Sequence, residues 1–133
     1  MANNSTAFGY LLPTREVVMA PGDPDFGSMI SLAEAAEGYA FDSVWCGDSI
    51  LARPRLEALS TLSAIAGRTK RVKLGTAVFL PALRNPVVLA NEVANLDIAS
   101  QGRVILGVGI ATKTPTVEKE FNACGVSFRH RVS

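Results

Sequence analysis

The sequence predicts an α/β fold: a parallel sheet built from four βα units, half the complement of a closed (β/α)8 barrel of the TIM type. Three observations predict it. Apolar runs without polar alternation recur at 7–12, 42–47, 72–80 and 103–109. The last three begin about 30 residues apart, the length of one βα unit, which is what parallel pairing requires. Between the runs lie segments with helical apolar spacing, opened by capping residues.

The first run, AFGYLL at 7–12, reads as a strand bounded by Pro13. A polar stretch with Pro21, Gly22 and Pro24 follows. Asp25 caps a helix over 26–39 with Phe26, Met29, Ile30, Ala33 and Ala36 on one face. DSVWCG at 42–47 is the second strand. A loop holding Asp48, Arg53 and Pro54 leads to a helix over 55–67, with Leu56, Leu59, Leu62 and Ile65 inward and Gly67 near its end. VKLGTAVFL at 72–80 is the third strand. Asn85 then supplies an N-cap and Pro86 the first helical position. That helix covers 86–100, with Leu89, Val93 and Leu96 inward and Gly102 just past its end. RVILGVG at 103–109 is the fourth strand. Thr114 and Pro115 open a shorter helix ending near Gly125, and the last residues, VSFRHRVS, carry no assignment.

The 133 residues fit a single domain, 1–133, and at 48% apolar they can build a core. Thirteen basic against 12 acidic residues leave a formal charge of +1, which points to no nucleic-acid partner. Cys46 and Cys124 lie far apart and the one histidine is His130, so no metal site is expected. The start carries no signal-peptide pattern and no run is long enough for a membrane span, so a cytoplasmic setting is expected. Half a barrel would leave the edges of its first and last strands unpaired. The chain is therefore expected to form a homo-oligomer or to be a piece of a longer protein.

In parallel βα folds, ligands bind at the carboxyl ends of the strands. Asp48, directly after the second strand in WCGDS, could accept a hydrogen bond from a cofactor ring or position a proton; it could equally cap its own loop. The small residues of GTAV, 75–78, would let a flat ring approach the backbone, or simply pack tightly. Gly107 and Gly109 form a partial GxG, but the third glycine of a dinucleotide fingerprint is replaced by Thr112. Arg53, Arg55 and Arg84 could meet an anionic group or be solvated loop charges. Cys46, Trp45 and Phe79 read as packing residues, and His130 as a surface residue.

The block RTKRVKLGTAVFLPALRNPVVLANEVANLDIASQGRVILGVG, 68–109, strongly resembles the luciferase-like flavin-dependent monooxygenases and oxidoreductases. It carries their R-T lead-in, L-G-T, N-P helix start, L-D, S-x-G-R and G-x-G strand. DSVWCGDSILARPR is similar to their second strand and the acidic loop after it. The resemblance covers roughly 7–130. It implies a (β/α)8 barrel that binds FMN, or in some branches a deazaflavin coenzyme, at the carboxyl ends of its strands.

Carried over residue by residue, the resemblance implies a non-prolyl cis peptide at Ala77–Val78 behind the flavin ring. It implies a ring-side wall of Thr76, Ala77 and Val78, with Asp48 as the catalytic acidic position and Gly107 and Gly109 beside the ring. A small-molecule substrate and a separate flavin reductase are the partners it suggests. Ala40 stands where the family usually has glycine, so a left-handed backbone is expected there at a cost of about 1 kcal/mol. The glycine-rich continuation after Gly109 is replaced by Ile110, Ala111 and Thr112. The family's principal phosphate-binding elements lie beyond the matched half. Three functions are therefore expected as alternatives: an FMN-dependent oxidoreductase in full or assembled form, a non-catalytic truncated half-barrel that self-associates, and a deazaflavin-dependent reductase.

Overall fold

A computed structural model describes residues 6–131. Four strands, β1 (Gly9–Leu11), β2 (Ser43–Cys46), β3 (Lys73–Thr76) and β4 (Val104–Ile105), form one sheet in sequence order. Every neighbouring pair is parallel, with Tyr10 beside Val44, Val44 beside Leu74, and Leu74 beside Val104. The helices are α1 (Glu16–Met19), α2 (Phe26–Gly38), α3 (Ala58–Ala66), α4 (Pro86–Ser100) and α5 (Pro115–Ala123). Sequential parallel strands with helical crossovers are the winding of a (β/α)8 barrel, here one half of it.

The caps fall where the local sequence places them. Asp25 accepts from Ser28 N–H, Asn85 from Val87 and Val88 N–H, and Thr114 from Val117 N–H. The helix expected over 55–67 starts three residues later. Residues 54–57 form no regular element, and Glu57, itself extended, caps α3 by accepting from Ser60 N–H at 2.7 Å. The strands are shorter than the apolar runs that predict them. The β3 ladder ends at Thr76, the Ala77–Val78 peptide is cis, and beyond it the isolated Phe79–Val108 bridge continues the pairing. The polar stretch after β1 contains the helical turn α1, and the closing residues form a 3-10 turn at Phe128–His130.

Successive strand residues face opposite sides of the sheet. Val44, Cys46 and Leu74 meet Met29, Ala33 and Ala36 of α2 and Leu59, Leu62 and Ile65 of α3 in the main core. Fully buried side chains such as Leu62 and Ile65 contribute roughly 1.5–3 kcal/mol each. Phe26, expected on the inner face of α2, lies 36% exposed at the helix start, one turn before the buried stripe opens at Met29. On the opposite sheet face, Trp45 donates its indole N–H to Ser43 Oγ at 2.8 Å and lies over Gly75, where any Cβ would overlap the ring. A second cluster packs Leu83, Ala111, Phe121 and Phe128 beyond the carboxyl ends of the strands.

Two groups fasten the amino end of the sheet. Glu37, in the last turn of α2, accepts from the N–H groups of Lys70, Arg71 and Val72 at 2.6–3.0 Å. Burial would push this carboxyl up, but the three backbone donors and nearby Arg71 outweigh it and hold it below its ordinary range. Arg103 donates to Thr69 Oγ1 and to the carbonyls of Ala66, Thr69 and Val72 in the same segment. Ala40, leading into β2, has φ of 61°, the left-handed conformation that the family resemblance led us to expect there. Among the described residues, no helix is long and apolar enough to cross a membrane.

Candidate functional site

The carboxyl ends of β2, β3 and β4 and the start of α5 enclose a cleft of about 390 Å³. Asp48, Arg55, Ala77, Val78, Ile110 and Glu120 are among the residues lining it. Val78 is 46% exposed, so the wall at Ala77–Val78 is open and apolar.

Asp48 reaches the cleft with its carboxylate engaged. Its Oδ2 accepts from Leu80 N–H at 2.9 Å and from Arg84 Nη1 at 2.5 Å, and its Oδ1 accepts from Arg84 Nη2 at 2.8 Å. This is a bidentate pair with side chains only 2% and 15% exposed. The Arg84 guanidinium also stacks on Phe79, 4.2 Å from the ring centroid, and lies 3.5 Å from Glu57. Asp48 thereby ties the end of β2 to the 77–84 segment. Ala77 N–H donating to the Cys46 carbonyl and Phe79 N–H donating to the Gly107 carbonyl fix that segment on both sides.

Of the other residues singled out from sequence, Ala77 and Val78 line the cleft, whereas Thr76, Gly107 and Gly109 form the seam between the third and fourth strands. Thr76 is buried and donates its hydroxyl to the Gly107 carbonyl at 2.8 Å. A Cβ on Gly107 would overlap the Thr76 carbonyl, and one on Gly109 would overlap Val78. Those glycines allow close strand packing, a role the sequence reading offers for 75–78 and not for them. Cys46 is fully buried, and burial above all pushes its thiol up to about 12, so it stays protonated and packs as a small apolar residue. His130 is exposed.

Glu120 escaped the sequence reading. It sits on α5, 1% exposed, and its Oε1 accepts from Ser49 Oγ and from the N–H groups of Ile50, Leu51 and Ala52 at 2.5–3.3 Å. Its Oε2 is buried without a hydrogen-bond partner among the described residues. Burial would push this carboxyl up; the backbone donors and Ser49 prevail and hold it below its ordinary range. Ser49 Oγ in turn accepts from Arg53 N–H at 2.9 Å, so one carboxylate on α5 shapes the whole loop after β2. The readable signal was a charge at position 120, beside the apolar Val117, Phe121 and Cys124 of the same helix.

The sequence model of the luciferase-like monooxygenase family matches residues 6–133. The F420-dependent glucose-6-phosphate dehydrogenase of Amycolatopsis mediterranei is 44% identical over 88 residues, 61% of this chain and 26% of that protein. The crystal structure of monooxygenase RslO1 from Streptomyces bottropensis superposes with a TM-score of 0.77 at 31% identity, over 95% of this chain and 39% of that one. The oxygenating constituent of 3,6-diketocamphane monooxygenase from Pseudomonas putida, solved with FMN, shares the fold with a TM-score of 0.78 at 20% identity, over 96% and 36% of the two chains. The chain thus spans between a quarter and two fifths of the length of these proteins. With its family model matched over nearly the whole length, the chain belongs to the luciferase-like monooxygenase family of oxidoreductases, which includes both FMN-dependent and F420-dependent enzymes.

Proposed function

We propose that this chain supplies the ring-side wall of an oxidoreductase that works with reduced FMN on a small organic substrate, within a complete or assembled barrel. The observation that carries the reading is the open apolar wall at Ala77–Val78, set in a cleft at the carboxyl ends of parallel strands. A flat, largely apolar ring fits such a wall. When bound, the reduced flavin supplies electrons to dioxygen or hydride to a second substrate, and the protein orients it and excludes water. Ala77 and Val78 would face the ring, with Thr76, Gly107 and Gly109 supporting them from the strand seam. Asp48 enters as a positioning residue, because both its oxygens already hold donors and through Arg84 and Leu80 they keep the wall in place. A separate flavin reductase would deliver the reduced cofactor, and a second copy or the other four βα units would cover the open sheet edges.

The 44% identity to an F420-dependent dehydrogenase favours a second reading, a deazaflavin-dependent reductase on the same wall. Fluorescence titration with FMN and with the deazaflavin coenzyme separates the two, alongside light scattering for assembly state. Tighter binding of FMN, weakened by Val78→Asp, supports the first reading. Tighter binding of the deazaflavin supports the second. Binding of neither, by a chain that self-associates, leaves the non-catalytic half-barrel.

A further inference from the structure

The carboxyl-end cleft holds arginines that its own carboxylates do not pair. Asp48 is held by Arg84 and Leu80 N–H. Glu57 accepts from Ser60 N–H and lies 3.5 Å from Arg84. Glu120 is committed through Oε1 to Ser49 and the 50–52 backbone, and its buried Oε2 has no partner and no arginine within ion-pair distance among the described residues. Arg84 is thereby neutralised. Arg53 and Arg55 also line the cleft, and among the described residues neither has a carboxylate within ion-pair distance. Arg55 donates its Nε–H to the Arg53 carbonyl at 3.3 Å, which leaves its terminal nitrogens free of a protein acceptor among those residues.

The Arg55 guanidinium is seated. It packs on Gly47, just past the end of β2, where a Cβ would overlap Nη1; the Ala77 carbonyl is 3.6 Å from that same Cβ position. Arg55 therefore stands beside the Ala77–Val78 wall. A planar group that is always charged and presents parallel N–H donors to an open cleft matches a carboxylate or phosphate bidentately. We propose that Arg55, with Arg53 at the rim, forms an oxyanion subsite for a phosphate or carboxylate group of a ligand. The inference leans on the proposed flavin site only for which molecule carries the anion.

Inorganic phosphate titrated into the 133-residue chain, followed by the arginine Nε–H resonances, tests the subsite. Saturable, salt-sensitive binding is expected, weakened about tenfold or more by Arg55→Met, less by Arg55→Lys and least by Arg53→Met. Gly47→Ala is the second variant: its methyl takes the seat of the guanidinium while the charge remains, and the flexible tip of Arg55 can move aside without cost to the fold. Weakening by Gly47→Ala towards the Arg55→Met level is expected, and it decides the matter if Arg55→Met does not fold. No saturable binding to the wild type, or equal affinity in Arg55→Met, overturns the subsite. Parallel titrations with FMN and riboflavin identify the source. Loss for FMN alone in Arg55→Met assigns the anion to the cofactor phosphate; no change for either flavin, with phosphate binding lost, assigns it to a second ligand. If neither flavin binds the wild type, the proposed function fails while the phosphate result still decides the subsite.

Discussion

At the amino end of the sheet, Glu37 gathers the N–H groups of Lys70, Arg71 and Val72; at the carboxyl end, Glu120 gathers those of Ile50, Leu51 and Ala52. Both are helix-borne carboxylates receiving three consecutive backbone donors. They differ in their surroundings. Glu37 is only partly buried and uses both oxygens, whereas Glu120 is 1% exposed and uses one. The Asp48–Arg84 pair repeats the pattern at the carboxyl end, withdrawn from solvent. Buried charge is costly unless fully paired, so the simpler way to hold a loop is the one at the amino end. The carboxyl end departs from it where long irregular loops must be held still around a cleft. Departures of that kind concentrate at functional sites.

The largest effect should come from breaking the buried pair. Arg84→Met leaves the Asp48 carboxylate without its cation and should destabilise the fold by about 3–5 kcal/mol in urea unfolding. Adding Asp48→Asn should recover part of that loss, because the uncompensated charge disappears. A single variant within 1 kcal/mol of wild type, by that same order-of-magnitude scale, would place the pair with surface bridges and remove the contrast between the two ends.

Next come the two carboxylates. Glu120→Ala removes a buried acceptor from three backbone donors and should cost about 3 kcal/mol, against about 1 kcal/mol for Glu37→Ala, where the carboxylate is partly exposed and water can replace its oxygens. Both carboxyls are held below their ordinary range in the folded state. Their stabilisation is therefore fully present above the unfolded value of about 4.3 and is lost as pH falls through the folded values. Glu120→Gln and Glu37→Gln should each flatten the acid limb of a stability-versus-pH curve. Added salt should shrink the Glu37 share more than the Glu120 share, since exposed charges are screened more strongly.

The two ends also differ in how legible they were. Local chemistry read well: the caps at Asp25, Asn85 and Thr114 and the βα spacing follow from neighbours in sequence, whereas the left-handed backbone at Ala40 was legible only through the family resemblance. Apolar runs located the strands but not their ends, because the ladder stops where the chain turns at Ala77–Val78 and not where apolar residues stop. Asp48 was legible as a position and not as a role. Its partner Arg84 stands 36 residues away, and nothing local says that the two meet. Glu120 and the loop it holds are about 70 residues apart, and only a charge among apolar neighbours hinted at it. Arg53, Arg55 and Arg84 looked alike in sequence; packing assigned Arg84 to Asp48 and left the other two facing the cleft.

The smallest effect isolates backbone conformation at the amino end. Ala40 is exposed with φ of 61°, so its methyl opposes a left-handed backbone and makes no buried contact in exchange. Ala40→Gly removes that opposition and adds unfolded-state entropy, for a net gain of up to about 1 kcal/mol. A melting temperature higher by a few degrees is expected. Ala90→Gly, at an exposed position inside α4, makes the same chemical change where the backbone is helical and should lower stability by about 1 kcal/mol. Opposite signs for the two variants would locate the effect in backbone conformation. Because Ala40 lies at the far end of the sheet from the cleft, phosphate affinity at Arg55 should not change in Ala40→Gly. A shift there would mean that the two ends are coupled through the sheet, and the division between a stabilising end and a binding end would have to be redrawn.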